Sequence, residues 1–342
     1  MGFAILSLDD ARWRSLIASH PDATAFHHPA WTAFLAECYG YRPFLATLSS
    51  RADELDAGLP MLDVSSRLTG RRWIGLPFTD YCFPLTRTPE DLSLLTQALA
   101  DLRERERLPR IEVRGKLPAH SNLFHTTPFV LHVLNLDTDP AEAFSRFSKK
   151  CRQYVRKAEK REGLRLLAAG DGDMKTFYRL HVQTHARLGV PVQPKRFFRL
   201  LWTRILAAGH GVALFVADAH DVPVAAAVVL HHGRRAMIKY SASDPAFLAG
   251  RCHYFLFWKC IEWACSAGMT QLDFGRSTVT AEGLRRFKSG WGAAEYPLTY
   301  SFLGRSPRHA QARLSSALQP ILRRAPAWVT RIIGELLYRH VA

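Results

Sequence analysis

GVALFVADAHDVPVAAAVVLHHGRRAMIKY, residues 211–240, is the stretch on which the reading of the fold turns. It holds three apolar runs, 212–217, 222–231 and 236–240, parted by Asp218, Asp221 and Gly233. Short runs rich in Val, Ala and Leu between turn residues predict sequential strands. Helical spacing flanks them on both sides. Upstream, the pattern predicts helices over 141–161, stopped by Gly163, over 174–188, ended by Gly189 and Pro191, and over 195–208. Downstream it predicts a helix over 252–267 closed by Gly268, a short strand over 271–274, a helix over 284–291 and a closing strand over 298–303.

The first half shows a weaker version of the same order. Helices are predicted over 9–19 and, opened by His28-Pro29, over 30–39, where Trp31, Phe34, Leu35 and Cys38 share one face. Strands are predicted over 43–48, 57–64 and 72–76, then a helix over 89–107 and strands over 110–114 and 129–136. The turn cluster Asp137-Thr138-Asp139-Pro140 marks a domain boundary. The expected organisation is a first domain over 1–138, a second over 139–305 and a helical tail over 306–342.

A chain of 342 residues is too long for one ordinary core, which agrees with two domains. At 48% hydrophobic and 22% charged residues it has the balance of a folded protein. The opening MGFAILSLDDARWRS has no basic segment and runs straight into Asp9 and Asp10, so no secretory signal is expected. No apolar run approaches the ~20 residues that span a bilayer. A cytoplasmic location is expected, at most peripheral to a membrane. The six cysteines form no CxxC pair, and reduced, mostly buried thiols are expected. His181 and His185 lie one helical turn apart, but no carboxylate or cysteine is placed to complete a metal site, so none is expected.

The 46 Lys and Arg against 30 Asp and Glu give a net charge of +16. Such a field attracts polyanions: RNA, nucleotide-linked substrates or anionic lipid. The tail repeats the theme. Leu314, Leu318, Ile321 and Leu322, then Trp328, Ile332, Ile333, Leu336 and Leu337, recur at helical spacing, with Arg313, Arg323, Arg324, Arg331 and Arg339 on the other face. Pro320 and Pro326 break it into pieces. A helix packed on the domains is expected. The alternative is a basic amphipathic surface for anionic membrane.

Several motifs, in order, carry a resemblance. Phe26-His27-His28-Pro29-Ala30-Trp31 is similar to an F-x-S-x-x-W opening, with His28 where serine is usual. Leu76-Pro77-Phe78-Thr79-Asp80-Tyr81 resembles L-P-[FY]-[ST]-D-Y, departing at Cys82 and Phe83. Residues 149–158, KKCRQYVRKA, resemble K-x-R-x-x-[IV]-R-K-A. Asp273-Phe274-Gly275-Arg276-Ser277, followed by Phe287-Lys288-Ser289-Gly290-Trp291-Gly292, resembles D-F-G-R-S with F-K-x-x-[FW]-G. Together these resemble the FemABX peptidyltransferase family of the GNAT superfamily, from about residue 26 to 303. The resemblance implies an α/β fold of tandem GNAT-like, acyl-CoA N-acyltransferase-like domains, the first degenerate, followed by the C-terminal basic amphipathic tail. It also implies transfer of an amino acid from aminoacyl-tRNA to an amine of a peptidoglycan precursor. Some relatives are associated with exopolysaccharide systems.

The chemistry open to these residues agrees with that. Arg152, Arg156 and Lys160 lie four apart on one helical face, which Lys149 extends by three; Lys157 joins that substrate-binding set, and Arg donors suit phosphate. A merely solvated basic face is the alternative. In the family the Phe-Lys pair is implicated in stabilising the oxyanion that forms when an amine attacks an ester, and the resemblance assigns that role to Lys288 beside Phe287. A surface lysine over Phe287 is the bland alternative. Asp273 and Arg276, at a strand end, are placed to face a ligand or each other. Tyr240, closing the third strand, joins the substrate-binding set. Asp80 is the acid of the first half suited to orient the acceptor amine or take its proton. No Ser-His-Asp or Cys-His arrangement stands out, so direct attack without a covalent enzyme intermediate is expected.

The loop 241–251 has one glycine and carries Asp244 where a pyrophosphate would need donors. That argues against acetyl-CoA and for aminoacyl-tRNA or another acyl carrier as donor substrate, with no resident cofactor. The expected acceptor is an anionic small molecule or a lipid-linked precursor, and tRNA and an anionic membrane surface are the other partners considered. A monomer is expected. The competing readings are an acyl-CoA N-acyltransferase of exopolysaccharide synthesis, and a non-enzymatic basic module that binds RNA or membrane.

Overall fold

The computed structural model describes residues 2–66, 69–161, 163–167, 173–247, 251–306 and 322–340. Their chain forms two compact units, drawn from Met1–Val130, Pro297–Arg308 and Arg339–Ala342, and from Leu131–Tyr296 and His309–Tyr338.

The first unit contains β1 (Gly2–Leu6), α1 (Ala11–Ser19), α2 (Pro29–Tyr39), β2 (Arg42–Ser49), β3 (Ala57–Ser66), β4 (Gly70–Ile74), β5 (Leu85–Thr86), α3 (Pro89–Arg105) and β6 (Arg110–Val113). Its sheet runs β1-β2-β3-β4-β6, with β4 and β6 parallel and the other neighbours antiparallel. Strand β1 was not foreseen. Its five residues, GFAIL, are mostly exposed and show no alternation, so only pairing along β2 reveals it. Helix α2 starts where expected. The His28 Nδ1 accepts a hydrogen bond from the Ala30 N–H at 3.3 Å, so the imidazole caps the helix as a serine hydroxyl does. Trp31, Phe34 and Leu35 are buried along that helix as the spacing predicts, and Gly40, at φ 75°, stops it.

The second unit begins within β7 (Leu123–Asn135). It continues through α4 (Pro140–Ser145), α5 (Lys149–Arg161), β8 (Arg165–Leu166), α6 (Met174–Leu188) and α7 (Lys195–Leu200), which passes into a π-helical turn at Leu201–Leu206. The deciding stretch forms β9 (Gly211–Ala217), β10 (Pro223–His232) and β11 (Arg235–Ser243), an antiparallel meander. Then come α8 (Cys252–Ser266), β12 (Gln271–Asp273), β13 (Ser277–Thr278), α9 (Glu282–Ser289), the start of β14 (Ala294–Gly304), whose residues from Pro297 on belong to the first unit, and α10 (Ala327–Leu337). Strand β12 lies parallel to β11 and antiparallel to β7.

One expected helix is two. The 141–161 pattern breaks between α4 and α5 because local polar groups satisfy both ends. Ser148 Oγ accepts from the Cys151 N–H at 3.2 Å and opens α5. The Arg152 guanidinium donates to the Ser145 and Phe147 carbonyls, each at 2.8 Å, and closes α4.

Of the tail, residues 307–321, with Arg313, Leu314, Leu318, Pro320 and Ile321, lie outside the described residues. Helix α10 packs closely on the chain near residue 192. A Cβ at Gly334 would overlap the Val192 carbonyl, so glycine is required there. The Val192 N–H donates to the Thr330 carbonyl at 3.3 Å. On the opposite face Trp328, Ile332 and Leu336 are 59%, 45% and 65% exposed. The tail therefore packs as expected and also presents an apolar stripe.

Candidate functional site

The second unit's sheet opens where β11 and β12 part. Parallel pairing covers only Arg235 to Met237 against Gln271 to Asp273, while β11 runs on to Ser243. On its other edge the β10–β11 register skips Lys239, so Tyr240 faces Val228 and Ile238 faces Val229. Such a bulge bends the strand and increases its twist. The Thr184 hydroxyl of α6 donates to the Ser243 carbonyl at 3.1 Å and accepts from its N–H at 3.0 Å. Diverging parallel strands leave a crevice at their C-terminal ends, where α/β sheets bind ligands.

Lys288, on α9, reaches with its ammonium the turn that follows β12. It is only 5% exposed, and its Nζ donates to the Gly275 carbonyl at 2.8 Å and the Arg276 carbonyl at 3.1 Å. The turn it grips is shaped by Asp273, whose Oδ1 accepts from the Gly275 N–H at 2.7 Å, and by Gly275 itself at φ 72°. Lys288 is therefore no surface lysine. Phe287 packs against Phe257, Tyr254 and His253, with centroids 5.1, 5.2 and 5.5 Å away. Trp291 is fully buried behind it. The fold thus brings Lys288, Phe287, Asp273 and Arg276 to one place.

It also brings together three residues to which sequence reasoning assigned no role, although Ser277 closes the Asp273–Ser277 motif. Ser277 Oγ lies 3.1 Å from His132 Nε2, and His132 Nδ1 lies 3.6 Å from Glu295 Oε1. Ser277 and His132 are buried, and Glu295 is gripped by Arg285 at 2.7 Å. Burial, reinforced by the Lys288 charge, pushes the His132 imidazole down to about 4, so it is neutral near pH 7. The sequence did carry one signal. His132 shares the inward face of its strand with Val130 and Leu134, an unusual place for an imidazole.

The basic helix divides its charges. Arg152 is committed to closing α4, and the Arg156 guanidinium lies 5.4 Å from the Phe144 ring centroid. Lys149, Arg156 and Lys157 are exposed. A second basic group meets the start of α8: the Arg251 guanidinium is 4.0 Å and the Lys150 ammonium 5.7 Å from the Tyr154 centroid. Hydrogen bonding from Arg251 holds the Tyr154 phenol below its ordinary value. Burial, with the charges of Arg187 and Arg251, lowers His253 to about 4. Asp244, read as hostile to phosphate, is occupied locally. It accepts from the Ala246 N–H at 2.9 Å and lies 3.9 Å from Arg179.

Tyr240 lies among aromatic rings, with Phe198 at 5.5 Å and His181 and Phe197 each at 6.0 Å. His181 and His185 have centroids 3.9 Å apart. The His181 Nε2 pairs with Gln193 Oε1 at 2.9 Å, and the His185 Nδ1 with the Pro191 carbonyl at 2.9 Å.

Asp80 belongs to the first unit. Its segment is strained and firmly held: Leu76 and Phe78 sit at φ 57° and 60°, a costly region for bulky side chains. Thr79 Oγ1 accepts from Trp31 Nε1 at 2.9 Å, the Thr79 carbonyl accepts from Arg114, and the Asp80 carbonyl accepts from Tyr300 Oη at 2.6 Å.

Residues 145–296 match the family model described as an acetyltransferase (GNAT) domain. No curated protein matches the chain. Among solved structures, FemX is 14% identical with a TM-score of 0.67, covering 88% of this chain and 97% of its own. The C-terminal domain of a putative lysylphosphatidylglycerol synthetase from Agrobacterium fabrum is 14% identical, TM-score 0.56, covering 91% and 95%. A tandem GNAT protein from the clavulanic acid biosynthesis pathway is 12% identical, TM-score 0.53, covering 90% and 99%. The chain therefore matches the GNAT acetyltransferase family model over residues 145–296, on a fold that most of its length shares with FemX and with a tandem GNAT protein.

Proposed function

We propose that the protein is an acyl- or aminoacyl-transferase that acylates an amine of a cell-envelope precursor, a peptidoglycan peptide or a polysaccharide. The observation that carries this reading is the buried Lys288 ammonium at the end of β12, where β11 and β12 part. A cation fixed in a site that excludes water favours the negative charge that develops on a carbonyl oxygen under attack. The motif order and the likeness to FemX support an envelope amine as acceptor. The donor is aminoacyl-tRNA or another phosphate-bearing acyl carrier, its phosphates meeting Lys150 and Arg251 near the start of α8 and the exposed Arg156 and Lys157 of α5. Asp80 is the proposed acid that orients the acceptor.

The test is to mix the protein with envelope precursors and either charged tRNA or acyl-CoA, and to follow the acyl group. Loss from charged tRNA that depends on the precursor is expected. Transfer from acyl-CoA alone would favour the N-acyltransferase of exopolysaccharide synthesis, and transfer from neither would overturn the reading.

The exposed basic side chains give a sharper expectation. Replacing Arg156 and Lys157 with alanine should weaken tRNA binding. It should also flatten the slope of log affinity against log salt by roughly 0.7–0.9 for each lost phosphate contact. An unchanged slope at two salt concentrations would make this face merely solvated. Arg152→Ala should instead lower thermal stability, because it uncovers the Ser145 and Phe147 carbonyls.

The stripe on α10 favours a peripheral membrane contact as a second feature of the same protein. No helix among the described residues is long and apolar enough to cross a membrane. Trp328, Ile332 and Leu336 lie on one exposed face, in a chain of net charge +16. Sedimentation with vesicles containing phosphatidylglycerol should exceed that with phosphatidylcholine alone, and serine at all three positions should abolish the difference. Equal sedimentation of the triple variant would assign lipid contact elsewhere.

A further inference from the structure

We propose that Ser277, His132 and Glu295 form a nucleophilic centre, in which the Ser277 hydroxyl receives the acyl group before the acceptor does. The three side chains come from β13, β7 and β14, so strands rather than loops hold them. Ser277 Oγ is 3.1 Å from His132 Nε2, and Glu295 Oε1 is 3.6 Å from His132 Nδ1.

The carboxylate selects the tautomer. A negative charge beside Nδ1 favours the N–H there, which leaves the Nε2 lone pair to accept the Ser277 proton. Glu295 is fixed for this purpose. Arg285 holds it through Nε and Nη2, and Ser289 Oγ donates to it at 3.4 Å. The Arg285 bond keeps its carboxyl below the ordinary range, so it is ionised. His132 is fully buried, and burial with the Lys288 charge holds its imidazole neutral.

A buried Ser–His pair that only pinned β13 to β7 would need neither the carboxylate at the second ring nitrogen nor a cation close by. Here both are present. Ser277 directly follows Gly275 and Arg276, whose carbonyls bind the Lys288 ammonium. The group suited to an oxyanion is therefore tied to the backbone beside the nucleophile. The 3.6 Å separation at Nδ1 is the loose resting geometry common before substrate binds.

The step balances. Ser277 Oγ bonds to the acyl carbon while its proton passes to His132 Nε2. The donor's ester bond breaks, and its alkoxide takes that proton. The acceptor amine then attacks the acyl-serine, the bond to Oγ breaks, and the amine's proton returns through His132 to Ser277. Ester and amine become alcohol and amide, with no oxidant or further co-reactant. Only the second half rests on the transferase reading proposed above.

The first half is tested without natural substrates. The full-length protein is incubated with p-nitrophenyl acetate, an activated acyl ester, and followed by release of p-nitrophenolate and by mass spectrometry. Expected are a burst of product, a gain of one acetyl group, and its location on Ser277 by peptide mapping. His132→Gln should slow acylation by about a thousand-fold or more, and Ser277→Cys, which keeps a nucleophile, should still be acylated. Thermal melts of each variant separate lost chemistry from lost fold. No acetyl on Ser277 in the wild type, or labelling unaltered in folded His132→Gln, would overturn the proposal. Transfer from charged tRNA that continues at full rate in Ser277→Ala would overturn it too, while leaving the transferase reading intact.

Discussion

Lys288→Met is expected to lower the turnover of acyl transfer by about a hundred- to a thousand-fold, the usual consequence of losing one donor to an oxyanion. Methionine keeps most of the stem and removes the charge. Substrate binding should change little, because the charge matters mainly in the transition state. The structure adds a second consequence. The ammonium also satisfies the Gly275 and Arg276 carbonyls, at 2.8 and 3.1 Å. Leaving a buried acceptor without its partner costs about 1–3 kcal/mol. Gly275 is buried and Arg276 partly so, so the melting temperature should fall together with turnover. Steady-state kinetics well below the variant's melting temperature separate the two effects. A loss confined to KM would make Lys288 a binding residue. A lower melting temperature with unchanged turnover would make it a strut for the 275–276 turn and nothing more.

That double role shows where sequence reading stops. Lys288 was visible because its neighbours Phe287 and Trp291, and the preceding Asp273-Phe274-Gly275-Arg276-Ser277, form a recognisable series. Its hydrogen bonds were not visible, because motif order says nothing about which carbonyl an ammonium reaches. The same limit hid the Ser277–His132–Glu295 group. His132 and Ser277 are 145 residues apart, and β12 and β13 reach β7 only when the sheet forms. Local periodicity placed His132 on an inward face but could not supply its partner. Arg152 failed in the other direction. Spacing of four assigned it to a basic face with Arg156, whereas its guanidinium turns back to the carbonyls of Ser145, the last residue of α4, and Phe147. Long side chains choose among nearby acceptors, and helical spacing fixes only where their Cβ atoms start. The meander β9–β11 was legible because three apolar runs with short polar turns leave few other arrangements. Strand β1 was not, since its partner β2 lies forty residues on and supplies all of its pairing.

Trp291 should prove the most costly residue to truncate near the site. It is fully buried, with the Phe147 centroid at 5.1 Å, Tyr254 at 5.6 Å, and Phe257 and Phe287 each at 6.0 Å. Cutting a buried tryptophan to alanine removes its contacts and leaves a cavity, at about 3–5 kcal/mol. The same change loosens α9, since Phe287 leans on the Trp291 ring. Stability and turnover should therefore fall together in Trp291→Ala. Trp291→Phe separates them. The indole Nε1 is buried and has no hydrogen-bond partner among the described residues, so phenylalanine removes an unsatisfied donor while losing only part of the volume. Its cost should be less than half that of alanine, and its turnover should stay within a few-fold of wild type. Urea unfolding midpoints of the three proteins at matched m-values give the comparison. If alanine cost no more than phenylalanine, the aromatic cluster would not be what holds α9 in place. The position of Lys288 would then depend on its polar contacts, the two carbonyl bonds among them, and Lys288→Met would be the more damaging change.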